Sequence, residues 1–223
     1  MSGKVEHLFS AEARERIATA VKAAEQHTSG EIVPCVVARC DEYEEAHWRV
    51  GAIAAFLVSA AFFCIRAFTD LWLPLGLGVM GAGVALAGGA GMLLVQWLPA
   101  LKRLLAGEEL MDRRVTQRAL QAFVEEEVFA TRERTGILIF LSLLEHEVRV
   151  LGDAGINARV APEEWEGVVQ RIVGGMRRGQ PAEGLVEAIA HCGTLLERAG
   201  VQRRADDTDE LGNAPRTGGE GER

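Results

Sequence analysis

Two long uncharged stretches limit the fold more than any other feature of this sequence. No charged residue falls between Val50 and Ile65, a run of 16 residues, or between Leu71 and Leu101, a run of 31 residues. About 20 predominantly apolar residues are enough to cross the hydrocarbon of a bilayer. A core helix of a soluble protein would show polar residues at a 3.6-residue period, and neither run does. We therefore predict a transmembrane helical hairpin rather than two buried helices of a globular protein.

The segment RAFTD at residues 66–70 separates the two runs and is predicted to be the turn of the hairpin. A turn this short requires the two helices to lie antiparallel and in contact. Tryptophan rings favour the membrane interface, and those near the ends of the runs are Trp48, Trp72 and Trp97. The second run is rich in glycine: Gly76, Gly78, Gly81, Gly83, Gly88, Gly89 and Gly91. Small residues allow close helix packing in lipid. An ion path is the other interpretation, but the runs contain no acidic residue or histidine to line one.

The distribution of charge predicts the orientation of the hairpin. The turn carries Arg66 and Asp70, whereas basic residues flank the outer ends of the runs: Arg39, Arg49, Lys102, Arg103, Arg113 and Arg114. The positive-inside rule then places both termini in the cytoplasm. The N-terminal sequence is polar and lacks the pattern of a signal peptide. We expect an integral protein of the cytoplasmic (inner) membrane with two spans.

Net charge and cysteine spacing exclude or weaken several functional classes. A net charge of −8 argues against nucleic acid as a partner. Cys35 and Cys40 lie five positions apart without a second pair, which is a weak signal for a metal site. The sequence also lacks a phosphate-binding glycine loop and the serine, histidine and aspartate order of a hydrolase triad.

The polar segment before the hairpin predicts a helix and a strand. Ser10 is a plausible N-cap for a helix over residues 10–28, and the segment EIVPCVVA at residues 31–38 is short and β-branched, as strands are. Pro34 lies inside this strand, and proline cannot donate a hydrogen bond to a sheet. The strand is therefore expected at an edge or at a bulge.

The segment after the hairpin predicts a helix, a β-hairpin, two more helices and a tail. The first helix covers residues 111–134, and its expected apolar face consists of Leu120, Phe123, Val124 and Val128. Two apolar runs then flank the charged residues Glu145 to Glu147, as in a β-hairpin. Pro162 and Pro181 begin the two further helices. Beyond about Arg203 the sequence is polar and glycine-rich, which predicts disorder.

These elements predict an α/β fold: a single domain with a small central sheet between helices, interrupted by the transmembrane hairpin. The expected division is residues 1–47 for the first part of the domain, 48–101 for the hairpin, 102–202 for the second part and 203–223 for the tail. The helix and strand before the hairpin cannot bury their apolar faces alone, so we expect them to pack with the sheet that follows it.

The order of elements and three motifs resemble the TPM domain family, in its membrane-bound bacterial branch. The motifs are TSGEI at residues 28–32, RTGILIF at 134–140 and LGDAGIN at 151–157, and the similarity extends over about residues 8–200. The resemblance implies a compact fold with a central sheet between helices. It also implies one of several roles, because some members resemble acid phosphatases, some bind divalent metal and others assist the assembly of membrane complexes.

The strand ends carry the candidate site residues. Asp153, Glu31 and Asn157 are possible ligands for a hard cation such as Ca²⁺ or Mg²⁺, and both the resemblance and the strand-end position point to Asp153. Arg134 and Arg149 are candidate anion contacts. Each carboxylate also has a simpler interpretation: Asp153 caps the following helix, and Glu31 pairs with a neighbouring arginine.

Two functions of different classes follow from the sequence. The first is a membrane-anchored interaction or assembly factor, whose partners are the bilayer and a second membrane protein. The alternative is a metal-dependent phosphatase tethered to the membrane. A cation requirement and the release of phosphate from a monoester distinguish the two.

Overall fold

The computed structural model describes residues 2–68, 76–201, 203 and 210–218. The chain divides into two compact units: Met1–Cys40 together with Arg113–Arg223, and Asp41–Asp112. The second unit is therefore longer at both ends than the hairpin expected at residues 48–101. The predicted turn residues Thr69 and Asp70, and also Trp72, lie outside the described residues.

The helices of both units are, in chain order, α1 Ser2–Leu8, α2 Ala11–Glu25, α3 Glu44–Phe68, α4 Leu77–Trp97, α5 Pro99–Ala106, α6 Glu108–Glu125, α7 Ala154–Asn157, the 3-10 helix Pro162–Trp165, α8 Glu166–Arg177 and α9 Pro181–Arg198. The strands are β1 Glu31–Val37, β2 Gly136–Ser142, β3 Glu147–Gly152 and β4 Arg216–Gly218.

Within the described residues, the first unit contains a four-stranded sheet of order β3-β2-β1-β4. β1 runs parallel to β2, with Glu31 opposite Gly136 and Val37 opposite Ser142, and β2 forms an antiparallel hairpin with β3. The strand at residues 31–38 and the following β-hairpin are thus confirmed. Because β1 precedes the two long helices and β2 follows them, the sheet joins the two parts of the chain.

Helices cover both faces of this sheet, and each face has its own apolar core. Successive strand residues point to opposite faces. On one face Ile32, Ile137 and Ile139 pack with α2, α8 and α9. On the other face Val33 and Leu138 pack with α6. Side chains of the seven-residue β1 and β2 are buried throughout, as expected of central strands covered on two sides.

The N-terminal cap of α2 agrees with the sequence, whereas the predicted face of α6 does not. Ser10 Oγ accepts a hydrogen bond from Ala13 N at 3.3 Å, so the predicted N-cap is confirmed. In α6 the sheet side consists of Val115, Ala119 and Ala122, while Leu120 and Val124 are exposed; Phe123 is half-buried and Val128 is buried. The helix also ends at Glu125 rather than at residue 134. Small residues occupy the buried side, which allows α6 to lie close to the strands, so side-chain size was misleading.

The tail is partly ordered, contrary to the disorder expected beyond Arg203. Residues Arg216–Gly218 form β4, which pairs parallel with β1 from Cys35 to Val37. Backbone hydrogen bonds supply this pairing, and they need no apolar side chain. The polar, glycine-rich composition of the tail therefore gives no sign of this strand.

In the second unit, α3 and α4 pack through a few close glycine contacts. A Cβ on Gly51 would lie 2.7 Å from Met92 Cε, and one on Gly91 would lie 3.1 Å from Ala54 Cβ. A Cβ on Gly88 would lie 3.4 Å from the Gly51 carbonyl oxygen. A Cβ added at the other predicted packing glycines would meet nothing within 4 Å among the described residues: Gly76, Gly78, Gly81, Gly83 and Gly89. The packing role assigned to the glycines is thus right for two of them and wrong for these five.

The described residues contain two helices that are long and apolar enough to cross a membrane, Glu44–Phe68 and Leu77–Val95. Their large apolar side chains point outward: Phe63 is 71% exposed and Leu86 is 75% exposed. Trp48 and Trp97 are exposed as well. Lys102, on the following helix α5, is buried, and its ammonium nitrogen lies 3.9 Å from a carboxylate oxygen of Glu42.

Candidate functional site

The three motifs meet at the end of the sheet where β1 and β2 begin and β3 ends. Thr135 Oγ1 donates to the Ser29 carbonyl oxygen at 2.7 Å, and Thr131 Oγ1 accepts from Thr135 N at 2.8 Å. Thr28 Oγ1 donates to the Val201 carbonyl oxygen at 2.7 Å. The buried hydroxyl groups of TSGEI and RTGILIF therefore join the loops before β1 and β2 to the end of α9.

Glycines in the same motifs are required for close packing of backbone. A Cβ on Gly136 would lie 1.9 Å from the Val128 carbonyl oxygen, and one on Gly155 would lie 2.3 Å from the Glu133 carbonyl oxygen. Because both neighbours are backbone atoms, no side-chain rotation relieves the clash. The lack of a side chain at these glycines allows the loop at residues 128–134 to lie against the strand ends. This packing accounts for the glycines of the motifs without a ligand.

Asp153 forms the centre of this region. It follows β3 and is the N-cap of α7, with Oδ1 accepting from Ala154 N at 2.7 Å. The same carboxylate accepts from Arg134 Nε at 2.5 Å and from Arg134 Nη2 at 2.9 Å. Its backbone N–H donates to the Gly136 carbonyl oxygen at 2.9 Å. Asp153 thus acts as the helix cap that its sequence position indicated, and it also holds a two-point contact with Arg134.

Arg134 reaches Asp153 from the loop before β2. Its backbone has φ of +57°, a conformation that few non-glycine residues adopt. The hydrogen bonds that Arg134 donates to Asp153, and the negative charge of that carboxylate, raise the pKa of Arg134. The carboxylate side chain is 5% exposed, whereas that of Arg134 is 56% exposed. A charged guanidinium surface therefore faces solvent beside a buried carboxylate.

Glu31 and Asn157 lie next to this pair but bond elsewhere. Glu31 stands opposite Gly136 in the sheet, and its two carboxylate oxygens accept from Glu210 N at 3.3 Å and Leu211 N at 3.4 Å. Asn157 Nδ2 donates to the Gly152 carbonyl oxygen at 2.5 Å. Glu31 therefore holds the backbone of the tail, and Asn157 caps the end of β3.

This arrangement does not suit a divalent cation without rearrangement. The Asp153 carboxylate already contacts a guanidinium, and a cation bound there would displace Arg134 or lie beside its positive charge. Among the described residues, no group of three or more His, Cys, Asp or Glu side chains is placed to hold a metal ion. The calcium or magnesium site at Asp153, Glu31 and Asn157 stays a prediction.

Arg149 lies apart from the other candidates. Its guanidinium donates to Glu147 Oε2 at 2.8 Å and to the Val148 carbonyl oxygen at 3.0 Å. It lines a cleft of about 450 Å³ between β3 and the start of α8, next to Trp165 and Glu166. Arg134 and Arg149, both predicted as anion contacts, would thus serve two separate sites: Arg134 beside Asp153 and Arg149 in the cleft by α8.

Sequence reasoning missed two buried carboxylates. Glu25 is the last residue of α2, and its Oε1 accepts from Ile32 N at 2.8 Å. Glu145 accepts from Cys40 N at 2.9 Å and from the Ser142 hydroxyl. Burial, and secondarily the charge of Glu145, raise the pKa of the Cys40 thiol to about 12. A glutamate beside an apolar strand was the available signal, but its distant backbone partner cannot be read from sequence.

Comparisons with known proteins agree with the fold. Residues 103–195 match the sequence model of the TPM domain. The chain is also similar in fold to the BA42 protein from the psychrophilic bacterium Bizionia argentinensis, solved by NMR, with a TM-score of 0.56 and 20% sequence identity over 94% of each chain. At that identity the similarity shows the fold alone. No curated protein matches the chain.

Proposed function

We propose, from the TPM domain at residues 103–195, that this chain is a membrane-anchored TPM-domain protein. It serves as an interaction or assembly factor for a membrane-associated complex. The hairpin of the second unit is its anchor in the cytoplasmic membrane. The first unit lies in the cytoplasm and binds a second membrane protein.

The observation that carries the anchor is the exposure of apolar side chains on α3 and α4. Along both helices, large residues such as Phe56, Phe63 and Leu86 face outward. Each such side chain left in water costs about 1.5–3 kcal/mol relative to burial, and the helices carry many of them. Monomeric soluble proteins rarely expose apolar patches of this extent. Acyl chains satisfy this surface without any change in the hairpin.

Charge supports the proposed orientation. Basic residues such as Arg49 and Lys102 flank the outer ends of the hairpin, where the positive-inside rule places cytoplasm. Lys102 is near Glu42, and Arg49 donates to the Leu105 carbonyl oxygen at 2.5 Å. These contacts tie α3 and α5 together within the second unit. Both termini are then cytoplasmic, and the two parts of the sheet lie on the same side of the membrane.

The contacts of the strand-end residues support binding rather than catalysis. Asp153 is occupied by Arg134 and the end of α7, and Glu31 is occupied by the tail backbone. Carboxylates engaged in this way stabilise loops, whereas metal-assisted hydrolysis needs them to hold the ion. A net charge of −8 also disfavours nucleic acid as a partner.

Co-purification tests the binding role. The tagged chain is extracted from its native membranes in mild detergent, and the matched control is the tagged segment 41–112, which keeps the anchor without the first unit. We expect a membrane protein of defined size to co-purify with the full chain at a fixed ratio and not with the control. Equal recovery with both would contradict a partner that binds the first unit.

Phosphate release tests the alternative in the same preparation. The full chain in detergent is assayed on a phosphomonoester with Mg²⁺ or Ca²⁺, alongside Asp153→Ala. We expect the two proteins to give the same background rate. Metal-dependent turnover that Asp153→Ala abolishes would replace the binding role with the phosphatase role.

A further inference from the structure

The outer edge of β1 offers one place where an extended chain can pair with it. Glu31 N donates to the Thr135 carbonyl oxygen on the β2 side, whereas Ile32 N points away from β2 and is taken by Glu25. Backbone groups of alternate residues face the same side of a strand, so Pro34 and Val36 also face this outer edge. Pro34 has no N–H. Val36 is therefore the one position within β1 with a ladder donor left for an added strand.

The chain's own residues 210–218 occupy this place. β4 pairs with β1 at Cys35, Val36 and Val37 and begins just past Pro34. Two carboxylates flank the pairing position: Glu31 accepts from the backbone of Glu210 and Leu211, and Glu126 accepts from Arg216 Nε at 2.8 Å. Leu211 packs against the core formed with α6. These contacts come from an extended backbone, a leucine and an arginine five residues after the leucine.

Each of these contacts is of a kind that exchanges easily. β4 has three residues, below the usual length of a stable strand. The ion pair between Arg216 and Glu126 is partly exposed, and such pairs add little stability. The backbone bonds to Glu31 are long at 3.3 and 3.4 Å. By contrast, β1 pairs with β2 at seven positions, none of which involves the tail.

We infer that the β1 edge, flanked by Glu31 and Glu126, is a docking site for a short extended segment of the partner protein, and that residues 210–218 occupy it as an internal competitor. The segment that fits runs parallel to β1 and carries a leucine and, five residues later, an arginine. Two carboxylates beside one pairing position favour a basic segment. This inference rests on the proposed binding function and names the surface that the partner contacts.

Peptide binding tests this site in the full chain in detergent. The probe is a fluorescein-labelled peptide with the sequence of residues 210–218, ELGNAPRTG, and binding is followed by fluorescence anisotropy. The tail is released by the double substitution Leu211→Asp and Arg216→Ala. A tethered competitor acts at an effective concentration of about millimolar. We therefore expect the released variant to bind the probe at least about tenfold more tightly than wild type.

Charge reversal separates docking from nonspecific binding. Because the ion pair is partly exposed, Glu126→Arg in the released variant is expected to weaken binding of the probe by about threefold, and a probe carrying Arg216→Glu is expected to restore the binding. The matched control is Glu125→Arg, because Glu125 precedes Glu126 on the chain and bonds to Arg118 and Gln121. The control is expected to leave the affinity unchanged.

The outcomes also distinguish this inference from the function on which it rests. Equal affinity of wild type and released variant, or failure of the reversed probe to rescue Glu126→Arg, would overturn the docking site. A partner that still co-purifies with the full chain in that case leaves the binding function standing and moves its surface elsewhere. If no partner co-purifies with the full chain but the peptide still binds, the result would contradict the binding function alone.

Discussion

Replacement of Asp153 separates a helix cap from a metal ligand. Asp153→Asn keeps an oxygen that can accept from Ala154 N, whereas Asp153→Ala removes it. Loss of an N-cap side chain costs about 1 kcal/mol, with a range of about 0.5–2 kcal/mol. The freed Arg134 side chain is more than half exposed and becomes hydrated, so it adds little. We expect Asp153→Ala to cost about 1–2 kcal/mol and Asp153→Asn to cost less than about 1 kcal/mol.

These free energies correspond to measurable melting temperatures. For a unit of about 150 residues, 1 kcal/mol changes the Tm by about 2–4 °C. Asp153→Ala is therefore expected to lower the Tm by about 2–8 °C, and Asp153→Asn by less than about 4 °C. The assay is thermal unfolding of the full chain in detergent, followed by tryptophan fluorescence, to which the buried Trp165 of the first unit contributes.

Calcium supplies the decisive comparison. A cation that binds the folded state at a hundredfold excess over its Kd adds about 2.7 kcal/mol. Because Asp153 is paired with Arg134, we expect no such rise in wild type, in Asp153→Asn or in Glu31→Gln. A rise in wild type that disappears in both variants would refute the interpretation of Asp153 as a cap and establish the predicted cation site.

Three further predictions concern packing, ionisation and domain completeness. Gly91→Leu should loosen the α3–α4 hairpin, because a Cβ at this position would already lie 3.1 Å from Ala54 Cβ. Gly78→Leu is the control, because its side chain faces open space among the described residues. Resistance of the helices to detergent denaturation, measured by circular dichroism, should fall for the first variant only. Burial raises the pKa of Cys192 from 9.0 to about 12, so the folded state keeps a proton that the unfolded state loses above pH 9. The contribution of Cys192 to stability should therefore fall as pH rises from 9, by up to about 1.4 kcal/mol per pH unit, and a slope unchanged in Cys192→Ala would argue against this cause. Residues 1–40 joined by a short Gly/Ser linker to 113–218 should unfold cooperatively without detergent, and equal stability of 113–218 alone in a urea titration would show that β1 is dispensable.

The sequence indicated those parts of the fold that local pattern determines. Ser10 is a cap because a hydroxyl at that position satisfies the first turn of α2. Pro34 indicated an edge or a bulge, whereas β1 lies between β2 and β4 in the described sheet; the pairing with β4 begins just past Pro34, at Cys35. The β-hairpin of β2 and β3 was visible as two apolar runs around a charged turn.

Features that depend on distant partners were not accessible to the same reasoning. The buried side of α6 uses Ala119 and Ala122, and nothing local indicates that small residues rather than Leu120 meet the sheet. β4 was missed because backbone pairing with a strand about 180 residues earlier leaves no mark on composition. Among the site residues, the cap role of Asp153 was predictable, but its contact with Arg134 was not.

Membrane topology is the most direct test of the central claim. The native cysteines are replaced by alanine at Cys35, Cys40, Cys64 and Cys192. Single cysteines are then introduced at Thr69 or Glu109, and cells are treated with a membrane-impermeant maleimide before or after permeabilisation. Extraction of the membranes with alkaline carbonate is measured on the same samples.

A membrane hairpin with cytoplasmic ends predicts a single pattern. The chain should remain in the membrane pellet, Thr69→Cys should react in intact cells, and Glu109→Cys should react only after permeabilisation. Release of the chain into the carbonate supernatant would contradict the anchor, and the reverse labelling pattern would place the sheet outside the cytoplasm.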